Sequence, residues 1–172
     1  MIDSKMADAL NDQINAELYS SYLYLAMAAD LSSKNFNGFA QWMRVQAQEE
    51  LIHAMKLYDY LIQRGGAVLL AQVDAPATSW DNVLSAFEDA YEHEKYVTGR
   101  INSLVDLAEE LRDHATRSFL QWFVDEQVEE EATADEVVGK LRMVSDSGNG
   151  MLMMDRDLGA REPLLVASDD AD

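Results

Sequence analysis

Six side chains in this sequence share a spacing that suits metal binding: Glu17, Glu50, His53, Glu94, Gln127 and Glu130. Glu17 and Glu50 are 33 residues apart, as are Glu94 and Gln127. Glu17 and His53 are 36 apart, as are Glu94 and Glu130. The two sets are copies offset by 77 residues, and Glu49 falls on Glu126 under the same offset. Carboxylate oxygens with one imidazole suit iron, manganese or zinc rather than soft metals. Two ions about 3.5–4 Å apart, sharing one carboxylate, would neutralise such a set. Glu50 is the natural shared ligand, because His53 lies one turn further along the same helical face.

These residues interrupt apolar stripes, and that gives them weight. Glu17 lies between Ile14 and Leu18, and Glu50 and His53 between Met43 and Leu57. Glu94 lies between Ala90 and Val97, and Gln127 and Glu130 between Phe123 and Ala134. Helical spacing turns each group toward the interior. Carboxylates leave water only when paired, protonated or bound to a cation. A single Glu-x-x-His is weak, since most such pairs decorate a surface. Four helices carrying such groups mid-stripe at matched spacings are a far more specific signal than a chance polar layer.

Four long segments with helical periodicity must do the positioning. The first spans Lys5 to Leu31 behind a Ser4 cap, with Met6, Leu10, Ile14, Leu18, Leu25 and Ala28 as its stripe. The second runs from Asn37 to the Gly65-Gly66 stop. The third starts at Asn82, capped there or at Asp81, and ends near Glu109. The fourth covers His114 to Val144, and the turn Asp146 to Gly150 breaks it. A short fifth helix is expected over Met151 to Ala160. Two connections are only a few residues long, so each joins an antiparallel hairpin. The connection from Gly66 to Asp81 has 16 residues. Extended, it reaches about 53 Å, while a 28-residue helix is about 42 Å long. It can therefore cross the whole bundle and leave the second and third helices parallel. The fold class is all-α: two hairpins joined by one long crossover. Residues 1–161 form the bundle, and 162–172 are an acidic tail expected to be disordered.

Composition narrows the chemistry further. The 172 residues suit one domain with a sizeable core. There is no cysteine, which removes disulfides, zinc ribbons and Cys-ligated clusters and is compatible with the cytoplasm. The first residues show no signal peptide, and no apolar run is long enough for a bilayer, so neither membrane nor secretion is expected. A formal net charge of -19 repels nucleic acid and attracts cations. The plainer account of most of that charge is a solvated acidic surface. His93 lies about 100° from Glu94 around its helix and is expected to be exposed. His114 starts the fourth helix with no metal role, and Met151 to Met154 read as core or subunit interface.

From about Met6 to Leu158 the chain resembles the non-haem ferritins of bacteria and archaea, a ferritin-like family. The resemblance is carried by Asn15-Ala16-Glu17-Leu18-Tyr19-Ser20, Gln48-Glu49-Glu50-Leu51-Ile52-His53-Ala54, Tyr91-Glu92-His93-Glu94, and Phe119-Leu120-Gln121-Trp122 followed by Glu126-Gln127-Val128-Glu129-Glu130-Glu131. It implies a di-iron centre oxidising Fe(II) with O2. Glu17, Glu50 and His53 would take one iron. Glu50, Glu94 and Glu130 would take the other, with Gln127 beside them. Glu49, Glu126, Glu129 and Glu130 resemble a third iron site. Tyr24 resembles the tyrosine beside the centre, either an electron donor or a hydrogen-bond partner of a ligand. Trp122 reads as core packing, or else as a further electron source. The resemblance also implies an iron-storing cage of twenty-four cytoplasmic subunits, with the fifth helix at the fourfold axes.

Gln-x-x-Glu on the fourth helix departs from bacterioferritins and from di-iron oxygenases. Ile52 stands where a haem-binding relative presents methionine, so no haem is expected. Two other readings remain: a di-metal oxidase or peroxidase that stores nothing, and a metal-free or DNA-protecting bundle.

Overall fold

The computed structural model describes residues 1–144 and 146–164. Five helices follow one another: α1 Ser4–Ser33, α2 Asn37–Gln63, α3 Val83–Glu110, α4 His114–Val144 and α5 Gly148–Leu158. No described residue is in a strand. No helix among the described residues is long and apolar enough to cross a membrane. The expected acidic tail falls mostly on 165–172, outside the described residues.

The helix ends have local causes. Asp3, not Ser4, caps α1; its carboxylate accepts from the Lys5 N–H at 2.8 Å. Asn82 and Ser85 form a reciprocal capping box at the start of α3. The tight α1–α2 and α3–α4 turns close through Asn35 (φ 65°) and Arg112 (φ 53°). The fifth helix begins three residues before the expected Met151. The Ser147 side chain accepts from Gly150 N at 3.1 Å, and this cap outweighs two glycines in the first turn.

The crossover is fastened along α1. Asn11 donates to Ala67 O (3.0 Å) and accepts from Leu69 N (2.8 Å), and Asn15 donates to Gln72 O (3.1 Å). Near the other end of α1, Asp30 accepts from Trp80 N at 3.2 Å, and Lys34 reaches Trp80 O. The chain thus returns beside α1 to the end where α2 began. It starts α3 there, parallel to α2, as the loop length permits.

The core is divided. One apolar half holds Met27, Leu31, Phe39, Met43, Phe87 and Leu141, among others. The other holds Met6, Leu10, Leu57, Ile101, Leu120 and Phe123. Between them each long helix turns polar groups inward: Glu17, Glu50 with His53, Glu94, and Gln127 are all buried. Leu25, expected to face inward, is exposed, because Tyr24 occupies the inward position one residue earlier. Met151, Met154 and Leu158 pack α5 against the first half, while Leu152 and Met153 face outward.

α5 seats on the start of α2. No side chain of the N-cap residue, Phe36, bonds that helix end. Instead, Asp155 of α5 accepts from both Gly38 N and Phe39 N at 2.9 Å. The approach is so close that a Cβ on Gly38 would lie 1.6 Å from Asp155 O. Gly99, in α3, has nothing within 4 Å of the same position. Gly38→Ala is therefore expected to cost about 1–3 kcal/mol by forcing α5 off its seat. Gly99→Ala should add about 0.5–1 kcal/mol through helix propensity alone. Denaturant unfolding of the two variants measures both; equal effects would show that the seat carries no strain.

Candidate metal centre

The polar layer between the two core halves contains side chains from all four long helices. Glu17 and Glu50 are each 1% exposed, Glu94 2%, and His53 and Gln127 4%. Offered ligand atoms of Glu17, Glu50 and His53 all lie within 4.8 Å of one another. His53, Glu126 and Glu130 form a second such group, sharing the histidine. His53 Nδ1 is 3.5 Å from Glu50 Oε2. Trp122 and Phe123 pack edge-on against the imidazole, at ring distances of 5.4 and 6.0 Å, and fix its plane. Lys56 lies over the Trp122 ring, 3.7 Å from its centroid.

Each carboxylate has a partial set of partners. Gln13 donates to Glu17 Oε1 at 2.8 Å. Tyr24 donates its phenol proton to Glu94 Oε1, and Gln127 Nε2 approaches Glu94 Oε2 at 3.3 Å. Gln46 donates to Glu130 Oε2 at 2.6 Å and, more weakly, to Glu50 Oε1 at 3.4 Å. Two buried oxygens are left over: Glu17 Oε2 and Glu50 Oε2 have no hydrogen-bond partner. Both belong to carboxyl groups from different helices that meet beside His53. Such atoms are costly unless a proton or a cation reaches them. The donor set, all oxygen plus one imidazole, fits iron.

The electrostatics agree. Burial, with Glu50 next to it, pushes Glu17 from 4.5 up to about 8. Burial and Glu94 raise Glu50 well above its ordinary value. Burial raises Glu94 to about 7, and burial with Glu94 nearby raises Glu130 to about 7. Tyr24 is likewise raised by burial and by Glu94, so the phenol keeps its proton and serves as a hydrogen-bond donor. Without a cation, the layer holds protons that water would remove at neutral pH.

The expected residues divide unequally. Glu17, Glu50, His53, Glu94, Gln127, Glu130 and Tyr24 meet in the layer. Glu126 stands at its edge beside His53. Glu49 is turned toward Arg161 and forms an ion pair with it. Glu129 is exposed and belongs to neither ligand group. His93 is not exposed, contrary to its expected position. It is half-buried on the α1–α3 seam, with Nε2 2.7 Å from Ser20 Oγ and its ring about 6 Å from those of Tyr19, Tyr24 and Tyr96. Burial lowers it to about 4, so it is neutral. The 100° step from Glu94 leads onto the flank covered by α1, not into solvent. Sequence reasoning missed Gln13 and Gln46, although a signal was present: each precedes its glutamate by four residues, and the pair repeats the 33-residue spacing.

These shifts predict a pH dependence. In the metal-free protein Glu17 is protonated up to about pH 8, whereas in the unfolded chain it ionises near 4.5. The native state then binds more protons across that interval, so stability is fully present below it and falls as pH rises toward 8. Glu17→Gln should flatten this fall. Thermal midpoints of metal-free protein between pH 5 and 8 test it, and identical slopes in both proteins would refute the assignment.

Comparison with known proteins agrees with the fold. Residues 7–144 match the family model described as Ferritin-like domain. The chain is 44% identical to the bacterial non-heme ferritin of Bacteroides fragilis over 161 residues, 94% of this chain and all of that one. It is 41% identical to that of Staphylococcus saprophyticus, over 94% of this chain and 96% of the relative. Among solved structures, an open-pore ferritin from the archaeon Archaeoglobus fulgidus superposes with a TM-score of 0.93 at 52% identity, covering 94% of this chain and all of that one. A humanized archaeal ferritin gives 0.94 at 49%, covering 96% and all. With its crossover bundle, its buried carboxylate layer and relatives of this kind, the chain belongs to the ferritin family, among the non-haem ferritins.

Proposed function

We propose that the polar layer is a ferroxidase centre and that the protein stores the iron it oxidises. The observation that carries this reading is the pair of oxygens on Glu17 and Glu50 that have no hydrogen-bond partner among the described residues, buried beside His53. Fe(II) is the substrate. Glu17, Glu50 and His53 receive one ion; Glu50, Glu94 and Glu130 receive the other, and Gln127 holds Glu94 in place. Dioxygen accepts the electrons. The protons that the raised carboxyl groups hold are released as iron binds. Tyr24 keeps Glu94 oriented by donating to it. Glu126 and Glu130, which approach His53, would hold a third iron with Glu49 beside them, while the exposed Glu129 stays outside that group. Oxidised iron then hydrolyses and collects as ferric mineral inside a cage of twenty-four subunits in the cytoplasm. The curated relatives are named as non-heme ferritins, which supports storage over a non-storing oxidase.

Glu50→Ala and His53→Ala should each slow aerobic Fe(II) oxidation by more than about tenfold, while light scattering still finds a particle of many subunits. Unchanged oxidation in both variants removes the centre. A dimer-sized wild-type particle instead favours a discrete di-metal oxidase.

A further inference from the structure

Arg161 lies three residues past α5, far along the chain from every carboxylate in the layer, yet it is held at the layer's edge by several contacts. Its Nη2 pairs with Glu49, and its Nη1 donates to Gln46 Oε1 at 2.9 Å. Its guanidinium carbon sits 4.8 Å from the centre of the Trp42 ring. Its own carbonyl accepts from Gln41 at 3.4 Å, and Leu164 N donates to Gln48 at 2.8 Å. Arginine and glutamate are each about three-quarters shielded, so this is not a loose surface pair.

The contact with Gln46 has a chemical consequence. A glutamine amide carries one acceptor end and one donor end, and arginine has donors only. Arg161 therefore claims the carbonyl end of Gln46. The NH2 end must then face the other way, and there it donates to Glu130 and Glu50. Gln46 is 1% exposed, so bulk solvent does not compete for its amide. With the amide reversed, a carbonyl oxygen would face two carboxylates.

We infer that Arg161 is a positioning residue of the metal centre: it fixes the Gln46 amide so that Glu130 and Glu50 are presented to the ion. The segment after α5 is thereby coupled to the carboxylate layer. This rests on the reading of that layer as the metal centre.

Cobalt(II) binding to the whole assembled protein, followed by calorimetry and by the ion's d–d absorption, tests it. Arg161→Ala should weaken binding at the Glu50–Glu130 position about tenfold and change the d–d spectrum. Gln46→Leu should do the same, leaving the anchors at Gln41 and Gln48 intact. The double variant should lose no more than Gln46→Leu alone, because the arginine acts through the amide. Arg161→Lys, a point charge without the fork, should fall between wild type and Arg161→Ala. Wild-type binding in Arg161→Ala, or losses that multiply in the double variant, overturns the inference. If Glu50→Ala leaves the cobalt isotherm unchanged, the centre itself is wrong and the inference falls with it.

Discussion

Everything in this structure is arranged around one electrostatic problem: carboxyl groups from separate helices meet where water cannot reach them. Desolvation is the largest contribution at Glu17, Glu50, Glu94 and Glu130 alike, with like-charge repulsion from a neighbouring carboxylate added at each of them. A purely apolar bundle of this length would be easier to build and more stable. On the proposed function the layer exchanges its protons for cations, and the two apolar halves on either side keep it dry enough for that exchange to be strong. Hydrogen bonds from Gln13, Gln46, Gln127 and Tyr24 satisfy most of the lone pairs. The oxygens they omit are those on which a cation can settle.

The fold follows from that requirement. A layer drawn from four helices needs each helix to pass it at mid-length, so all four long helices run about thirty residues. Two short turns give two antiparallel pairs, and only a long crossover can bring the second pair in with its copied spacing in register. That crossover would be an entropic burden if loose. Its bonds to Asn11, Asn15 and Asp30 make it part of the wall instead.

Most of this was legible in the residues. Stripe periodicity, the Gly65-Gly66 stop and the loop lengths are local features, and they located α4 at both ends and the start of α2. The layer was legible because a charged residue inside an apolar stripe is a contradiction that burial must resolve, and the 33- and 36-residue spacings repeated it. Other features were not local. The cap on α2 comes from Asp155, more than a hundred residues away, and no pattern near Asn37 announces it. The burial of His93 depends on how closely α1 covers one flank of α3. The pairing of Glu49 with Arg161 depends on where an irregular segment runs after its helix ends. Glu129 shares a motif with Glu126 and Glu130, but on a helix its position points elsewhere.

The copied spacing carries a consequence for how the molecule comes apart. Glu17, Glu50 and His53 belong to the first hairpin, and Glu94, Gln127 and Glu130 to the second. The first ion's ligands all lie on the first hairpin, but a second ion would draw Glu50 from one hairpin and Glu94 and Glu130 from the other, and so would act as a rivet across the seam. By mass action, whatever binds only the joined state strengthens the joint. Loading should therefore fuse two halves that could otherwise loosen separately into a single cooperative block.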